Sequence, residues 1–326
     1  MAKYLVTGAA GFIGSNIVHW LIGRGEEVRG IDNFSHGRHE NIADILHRFD
    51  FREADICDLN VMLSGCKGMD YVLHQGAVGS VPRSMDDPLG TNRANVEGTL
   101  NVLQAARETG IKRVVYASSS SVYGDTPTLP KRENMLPEPI SPYAVSKYAG
   151  ELYAQSFYKV MGLQTVSLRY FNVFGPRQHP SSLYAAVIPK FIGQMLKGEQ
   201  PTIYGDGGQT RDFTFIENVI SANLLACHAL AEKVCGRAFN IAVNKNLSLN
   251  QLYSNLQELT GFSRPALYSA ARAGDVRESL ADITLAQQAM GYQPLVDVKE
   301  GLRRTVEWYR SELAQPLQGT GIASQH

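Results

Sequence analysis

No stretch of this 326-residue chain limits its fold more than KYLVTGAAGFIGS, residues 3–15. A β-rich run ends at Gly8, two further glycines follow at a spacing of three (Gly11 and Gly14), and a helical pattern begins at once. A chain that turns this sharply from buried strand into helix needs positions without Cβ atoms, and the bare backbone can then approach a pyrophosphate closely. The helix N-terminus adds free N–H groups and the positive end of a dipole. Strand, glycine turn and helix in this order predict the first unit of a doubly wound sheet that binds a dinucleotide.

The following residues repeat the alternation. After the first strand (3–8), strands are expected at 27–32, 49–55, 70–76, 113–119 and 164–171, and helices at 11–24, 91–109 and 142–161. Alternating β and α units imply a parallel sheet covered on both faces, and the near-continuous apolar strands agree. After Phe171 the pattern loosens: 172–184 and 198–212 are rich in Gly, Pro, Ser and Gln and flank AAVIPKFIGQML. One more strand–helix unit returns around 213–243, and the remainder is mostly helical with a loop near 264–280. The fold class is therefore α/β, a doubly wound parallel (Rossmann) sheet with a smaller, mostly helical substrate-binding domain. Residues 1–171 plus 213–243 are assigned to the dinucleotide domain, and 172–212 plus 244–326 to the interleaved substrate domain.

Asp32 closes the second strand, eighteen residues beyond Gly14. A carboxylate there accepts hydrogen bonds from the adenosine ribose and repels a 2′-phosphate, so NAD is expected rather than NADP. Thirty-one basic and 31 acidic residues balance, with no basic run, which gives nucleic acid or an anionic membrane nothing to bind. The four cysteines show no C-x-x-C spacing, and His36 and His39 (HGRH) stand without a third candidate ligand, so no metal is expected. Glycines break the apolar stretch after Lys3, so residues 1–25 do not read as a signal peptide, and no apolar run reaches spanning length. A cytoplasmic protein is the expectation.

The reacting groups are sought where strands end. SSSSVYGD (118–125) follows the fifth strand, and SPYAVSKYAGE (141–151) opens a helix with Ser141 as cap and Pro142 in the first turn. Tyr143 and Lys147 then share one helix face. Of fifteen tyrosines only Tyr143 has a lysine four positions on. In isolation such a pair is most often an ordinary surface feature and a serine cluster is turn chemistry, so the weight lies in their combination with the glycine turn.

TGAAGFIG, the serine before VYG, and Y-x-x-x-K together resemble an extended short-chain dehydrogenase/reductase, and within it the UDP-hexose 4-epimerases. The similarity runs over nearly the whole chain, including RYFNVFGPRQ, YGDGGQTRDF and AGDVRESLAD, and is strongest to bacterial UDP-N-acetylhexosamine 4-epimerases. It implies Tyr143 as general base, Lys147 as its activator and ribose ligand, and Ser119 as hydroxyl partner, with Ser120 and Ser121 beside it. Free tyrosine titrates near ~10, so half ionisation at neutrality needs about 4 kcal/mol. A charged lysine at ~5–6 Å supplies roughly 3 kcal/mol at an effective dielectric of ~20, and an oxidised nicotinamide is the second contributor. On the cofactor side the resemblance adds Phe12, Ile13, Asn33, Gln75, Ala77 and Tyr170, with Asp55 and Ile56 at the adenine and Asn95 as a structural or cofactor-side residue. On the UDP-sugar side it places Arg211 and Arg272 on the diphosphate, Asn172 nearby, Tyr204 on the uracil, Asp275 on the ribose, and Gly79, Ala186 and Val187 around the sugar. It also implies a homodimer through helices 91–109 and 142–161.

Family members that dehydrate or decarboxylate carry a carboxylate before VYG; here Ser120 and Ser121 stand there, which points to oxidation at C4′ and return of the hydride. Ser279 stands where relatives restricted to unacetylated sugars carry a tyrosine, and Gly79 replaces a lysine; both imply room for an N-acetyl group. Two departures bear on details: Gly76 replaces an alanine, which is expected to loosen the cofactor wall, and Pro176 and His179 vary a loop near the sugar.

Overall fold

The computed structural model describes residues 1–180, 186–271 and 277–314. Seven parallel strands form the central sheet: β1 (Lys3–Thr7), β2 (Glu27–Asp32), β3 (Asp50–Glu53), β4 (Tyr71–His74), β5 (Arg113–Ser119), β6 (Thr165–Tyr170) and β7 (Arg237–Ile241). Their order is β3-β2-β1-β4-β5-β6-β7. The direction of winding reverses between β1 and β4, which opens a crevice at the strand carboxyl ends, where such folds bind nucleotides. Helices on both faces leave β5 and β6 almost wholly buried, which is why these strands read as continuous apolar runs rather than alternating ones.

Local chemistry sets the two helices that matter most. Helix Phe12–Gly23 starts directly from Gly11 and buries Ile17, Val18, Leu21 and Ile22 against the sheet. Helix Pro142–Met161 begins where the Ser141 hydroxyl accepts the Ala144 N–H at 3.2 Å and ends at Gly162 with φ 76°, a left-handed cap that glycine adopts without strain. The expected helix 91–109 begins earlier, at Pro88, and includes a π-helical turn, Arg93–Glu97, before continuing as Gly98–Glu108. The expected strand 49–55 is shorter, because the chain leaves the sheet after Glu53.

Beyond β6 the chain builds a cap over the strand ends. Its helices are Val187–Leu196, Leu249–Thr260, Thr284–Met290 and Val298–Ala314. Small strand pairs join distant segments: Val173–Phe174 with Thr214–Phe215, Thr202–Tyr204 with Leu267–Ser269, and Thr210–Arg211 with Leu247–Ser248. One apolar core runs without a break from Val6 and Leu73 in the sheet to Phe191, Tyr253 and Leu302 in the cap. The cap is therefore seated on the sheet by burial, not by a linker.

A buried polar cluster pins helix Pro142–Met161 to the sheet. Glu151 and Arg169, 7% and 5% exposed, form a two-pronged pair at 2.9 and 2.8 Å. Arg169 also donates to Tyr123 at 2.8 Å, whose hydroxyl donates to Asn240 at 2.7 Å, and Ser118 donates to Glu151. Each buried charge thus has its partner, the condition under which such a pair is tolerated.

Candidate active site

The glycine turn is crowded by backbone on one side and open on the other. A Cβ on Gly14 would collide with the Gly8 carbonyl oxygen, and one on Gly8, which has φ +67°, would come within 2.8 Å of Gly76. Gly76 leaves no slack: a Cβ there would lie 3.2 Å from Thr7 Oγ1 and 3.3 Å from the Gly8 nitrogen. The wall expected to be loose is closely packed.

The open side is a cavity of about 620 Å³. Gly8, Gly11, Phe12, Ile13, Gly14, Asp32, Asn33, Asp55, Ile56, Gln75 and Ala77 all line it. Asp32 is held by N–H groups of Ala10 at 2.9 Å and Phe34 at 2.8 Å, and burial raises its carboxyl above the usual range against these bonds. Asn33 donates to Asp55 at 3.1 Å, so the segments that follow β2 and β3 are tied into one rim. A cavity of this size, the bare turn against a helix N-terminus and the acid at the end of β2 fit a dinucleotide. Sequence reasoning missed other residues of the rim, among them Ser35, His36, Gly37, Arg38, Ser80, Arg83 and Gln178, and it set His179 near the sugar, whereas His179 lines this cavity. The Asp32–Asn33 turn was the available signal for the first four, since Asx side chains fold the chain back on itself. His36 faces this cavity, and no metal-ligand cluster occurs among the described residues.

Tyr143 and Lys147 stand in the first turns of helix Pro142–Met161 and Ser119 at the end of β5; none of the three is in the lining of the cavity. Burial raises the Tyr143 phenol, and its hydrogen bond with Ser119 lowers it. Ser121 donates to Ser119 through both its backbone N–H, at 3.2 Å, and its hydroxyl, at 2.9 Å. Lys147 is 4% exposed; its Nζ donates to the Ala117 carbonyl at 2.9 Å and lies 5.2 Å over the Tyr116 ring. Burial pulls the ammonium down to about 7. The electrostatic support expected from a fully charged lysine is therefore reduced near neutrality, and burial opposes ionisation of both partners.

Asn95 sits on the π-helical turn, where it accepts the Val78 N–H at 2.7 Å and donates to Ser146 at 2.9 Å, joining the cavity wall to helix Pro142–Met161. Behind it, Thr99 gives its hydroxyl proton to the Asn95 carbonyl at 2.5 Å, so it accepts from His74 Nε2, and His74 Nδ1 accepts from Thr7 at 2.7 Å. Burial, then Lys147, holds His74 down at about 3, so it is neutral. Tyr170 lies outside the cavity lining; its hydroxyl accepts from Asn223 at 2.8 Å and donates to Gln75 at 3.3 Å.

A second cavity, of about 260 Å³, is lined by Asn172, Ala186, Val187, Tyr204 and Arg211 together with Phe191, Gln209 and Phe213. Ala186 lines both cavities, so the two abut. Asn172, at φ 34°, donates to the Asp212 carbonyl at 3.1 Å and to Ser279 at 3.5 Å, which ties Ser279 to a lining residue. Gly79 lines the first cavity instead of the second. Arg272 and Asp275 lie outside the described residues. Among the described residues, no helix is long and apolar enough to cross a membrane.

The model of the NAD dependent epimerase/dehydratase family matches residues 4–242. The UDP-glucose 4-epimerase of Mycolicibacterium smegmatis is 38% identical over 315 residues, covering 95% of this chain and 99% of that protein. Two crystal structures superpose with TM-scores of 0.90: UDP-glucose 4-epimerase of Thermotoga maritima with UDP-glucose, 37% identical, and UDP-N-acetylglucosamine 4-epimerase of Methanobrevibacter ruminantium with UDP-N-acetylmuramic acid, 40% identical. Each covers 95% of this chain and is itself covered to 99%.

Proposed function

This chain belongs to the NAD dependent epimerase/dehydratase family, and on that premise we propose that it is a UDP-hexose 4-epimerase working through a transient 4-keto sugar. Its substrates are UDP-GlcNAc and UDP-GalNAc, with UDP-glucose and UDP-galactose also accepted. One observation carries the choice among family reactions. The turn Ser120–Tyr123 after β5 puts Ser120 and Ser121, not a carboxylate, directly beside Ser119. Moving a further proton after oxidation, as dehydration requires, needs a second acid or base beside the sugar. Hydride return needs none.

NAD, held at the glycine turn and Asp32, supplies the hydride acceptor at C4′ and a positive ring when oxidised. Tyr143 takes the C4′ hydroxyl proton, and Ser119, fixed by Ser121, orients that oxygen by hydrogen bonding. Lys147 favours the phenolate to the extent that it is protonated. Arg211 and Arg272 hold the diphosphate, since guanidinium groups match phosphate oxygens, while Tyr204 and Asp275 hold the uridine. With the nucleotide gripped, the keto sugar turns over and presents its other face. Ser279 leaves space beside C2′ for an N-acetyl group.

The reading extends to two interleaved domains with the boundaries given above, a cytoplasmic setting in surface-polysaccharide synthesis, and a homodimer. Leu89, Val145 and Leu152 stand 82%, 52% and 48% exposed on the paired helices that would meet a second copy. Incubation with UDP-galactose, UDP-GalNAc and UDP-galacturonate, with products identified by NMR, tests the activity. No C4′ inversion of any of the three, or turnover of the uronate alone, refutes it.

A further inference from the structure

Residues Pro176–Pro180 run along the dinucleotide cavity, with Gln178 and His179 in its wall. The segment comes from the cap, yet it is fastened to the first turns of the glycine-loop helix. Asn16 donates to the Pro176 carbonyl at 3.0 Å and to the Phe12 carbonyl at 2.8 Å, and accepts from Arg177 Nη1 at 3.3 Å. Arg177 holds a left-handed backbone, φ 66°, which a residue with a Cβ adopts only when its surroundings impose it. From the other side, the Tyr309 hydroxyl of helix Val298–Ala314 donates to the Gln178 carbonyl.

Gln178 itself is incomplete. Its Nε2 donates to the Val173 carbonyl at 3.1 Å, which settles which end of the amide is nitrogen. Its buried Oε1 has no hydrogen-bond partner among the described residues. A buried acceptor left unmet is costly, and because Gln178 lines the cavity, a turn of its side chain toward a ligand there would let the acceptor be met. A dinucleotide brings suitable donors in its ribose hydroxyls and amide or amino N–H groups.

We infer that Pro176–Pro180 is a latched retaining wall for the dinucleotide, with Asn16 and Arg177 as the catch and Gln178 Oε1 as the contact. This rests on the proposed reaction, which needs the same cofactor molecule at its start and at its end. Asn16 and Arg177 are positioning residues here; neither need touch the reacting atoms.

The test measures release of labelled NAD from the purified protein into excess unlabelled NAD, with thermal unfolding in parallel. Arg177→Gly removes the catch while glycine accepts the left-handed backbone without strain. It should speed release at least fivefold with the unfolding temperature close to the parent's. Gln178→Leu should speed release about five- to tenfold, the value of one neutral hydrogen bond, with turnover restored by saturating NAD. Release within twofold of the parent in both variants overturns the latch. A parent protein that binds no NAD at all overturns instead the cofactor reading beneath it.

Discussion

Lys147→Met should make the cofactor-free protein more stable at neutral pH while removing its activity. The ammonium is 4% exposed, and burial lowers it from 10.5 to about 7. A group whose folded pKa lies below its unfolded value penalises the folded state whenever it is charged. The penalty is complete below pH about 7, shrinks as pH rises, and is gone above the unfolded value. By linkage it amounts to about 4 kcal/mol at pH 7 and less than about 1 kcal/mol at pH 10. The Tyr116 ring face returns about 1 kcal/mol and the hydrogen bond to Ala117 about 1 more. The net gain for Met, which keeps most of the stem's volume, is therefore about 2 kcal/mol at pH 7 and close to zero at pH 10. Guanidinium unfolding of both proteins, stripped of cofactor, across pH 7–10 measures it. Buried phenols and thiols also titrate at the alkaline end, but they are common to both proteins and cancel in the difference. Parallel curves, or a variant less stable at pH 7, would refute the account of Lys147 as a buried charge held for chemistry.

Four further outcomes follow from the same site. Tyr143→Phe should lower epimerisation by ~10²–10⁴, the range for a lost general base, with UDP-sugar binding by calorimetry unchanged; a loss under tenfold would mean the base lies elsewhere. NAD should restore a stripped enzyme and NADP should not, because the Asp32 carboxylate would repel a 2′-phosphate; equal restoration in a reconstitution assay contradicts this. Ser279→Tyr should suppress UDP-GalNAc turnover relative to UDP-galactose by the roughly 1–3 kcal/mol that overpacking costs, and equal kcat/KM losses for both sugars would remove Ser279 as gatekeeper. Glu151→Gln leaves the Arg169 guanidinium buried without its charge partner and should cost about 3–5 kcal/mol in denaturant unfolding; a loss below about 1 kcal/mol would show that the cluster reorganises.

Much of this molecule is written in features that act over a few residues. The expected strands 27–32 and 113–119 match β2 and β5, and the expected helix 142–161 matches at both ends. A capping serine, a first-turn proline and a terminal glycine act on the backbone beside them, so reading them needs no partner. The glycine turn and Asp32 are legible for the same reason: a missing Cβ and a strand-end acid carry their meaning in one short unit. The π-helical turn at Arg93–Glu97 is not legible, because it answers to Asn95 bonding Val78 and Ser146, one before it in the chain and one far beyond.

What the tertiary structure alone decides is environment. Tyr143 and Lys147 are identifiable by spacing, yet the burial that pulls Lys147 to about 7 comes from helix and sheet closing over it. Asn172 and Ser279 meet across 107 residues, and Asn16 and Arg177 across 161. No local pattern encodes such meetings, since they depend on where the cap settles on the strand ends. Residue type and spacing determined which groups are available for chemistry; packing decided their charge, their partners and which of them face a common cavity. The physical reason is range: backbone geometry is set by neighbours in the chain, whereas desolvation and hydrogen-bond partnership are set by whatever the folded chain brings alongside.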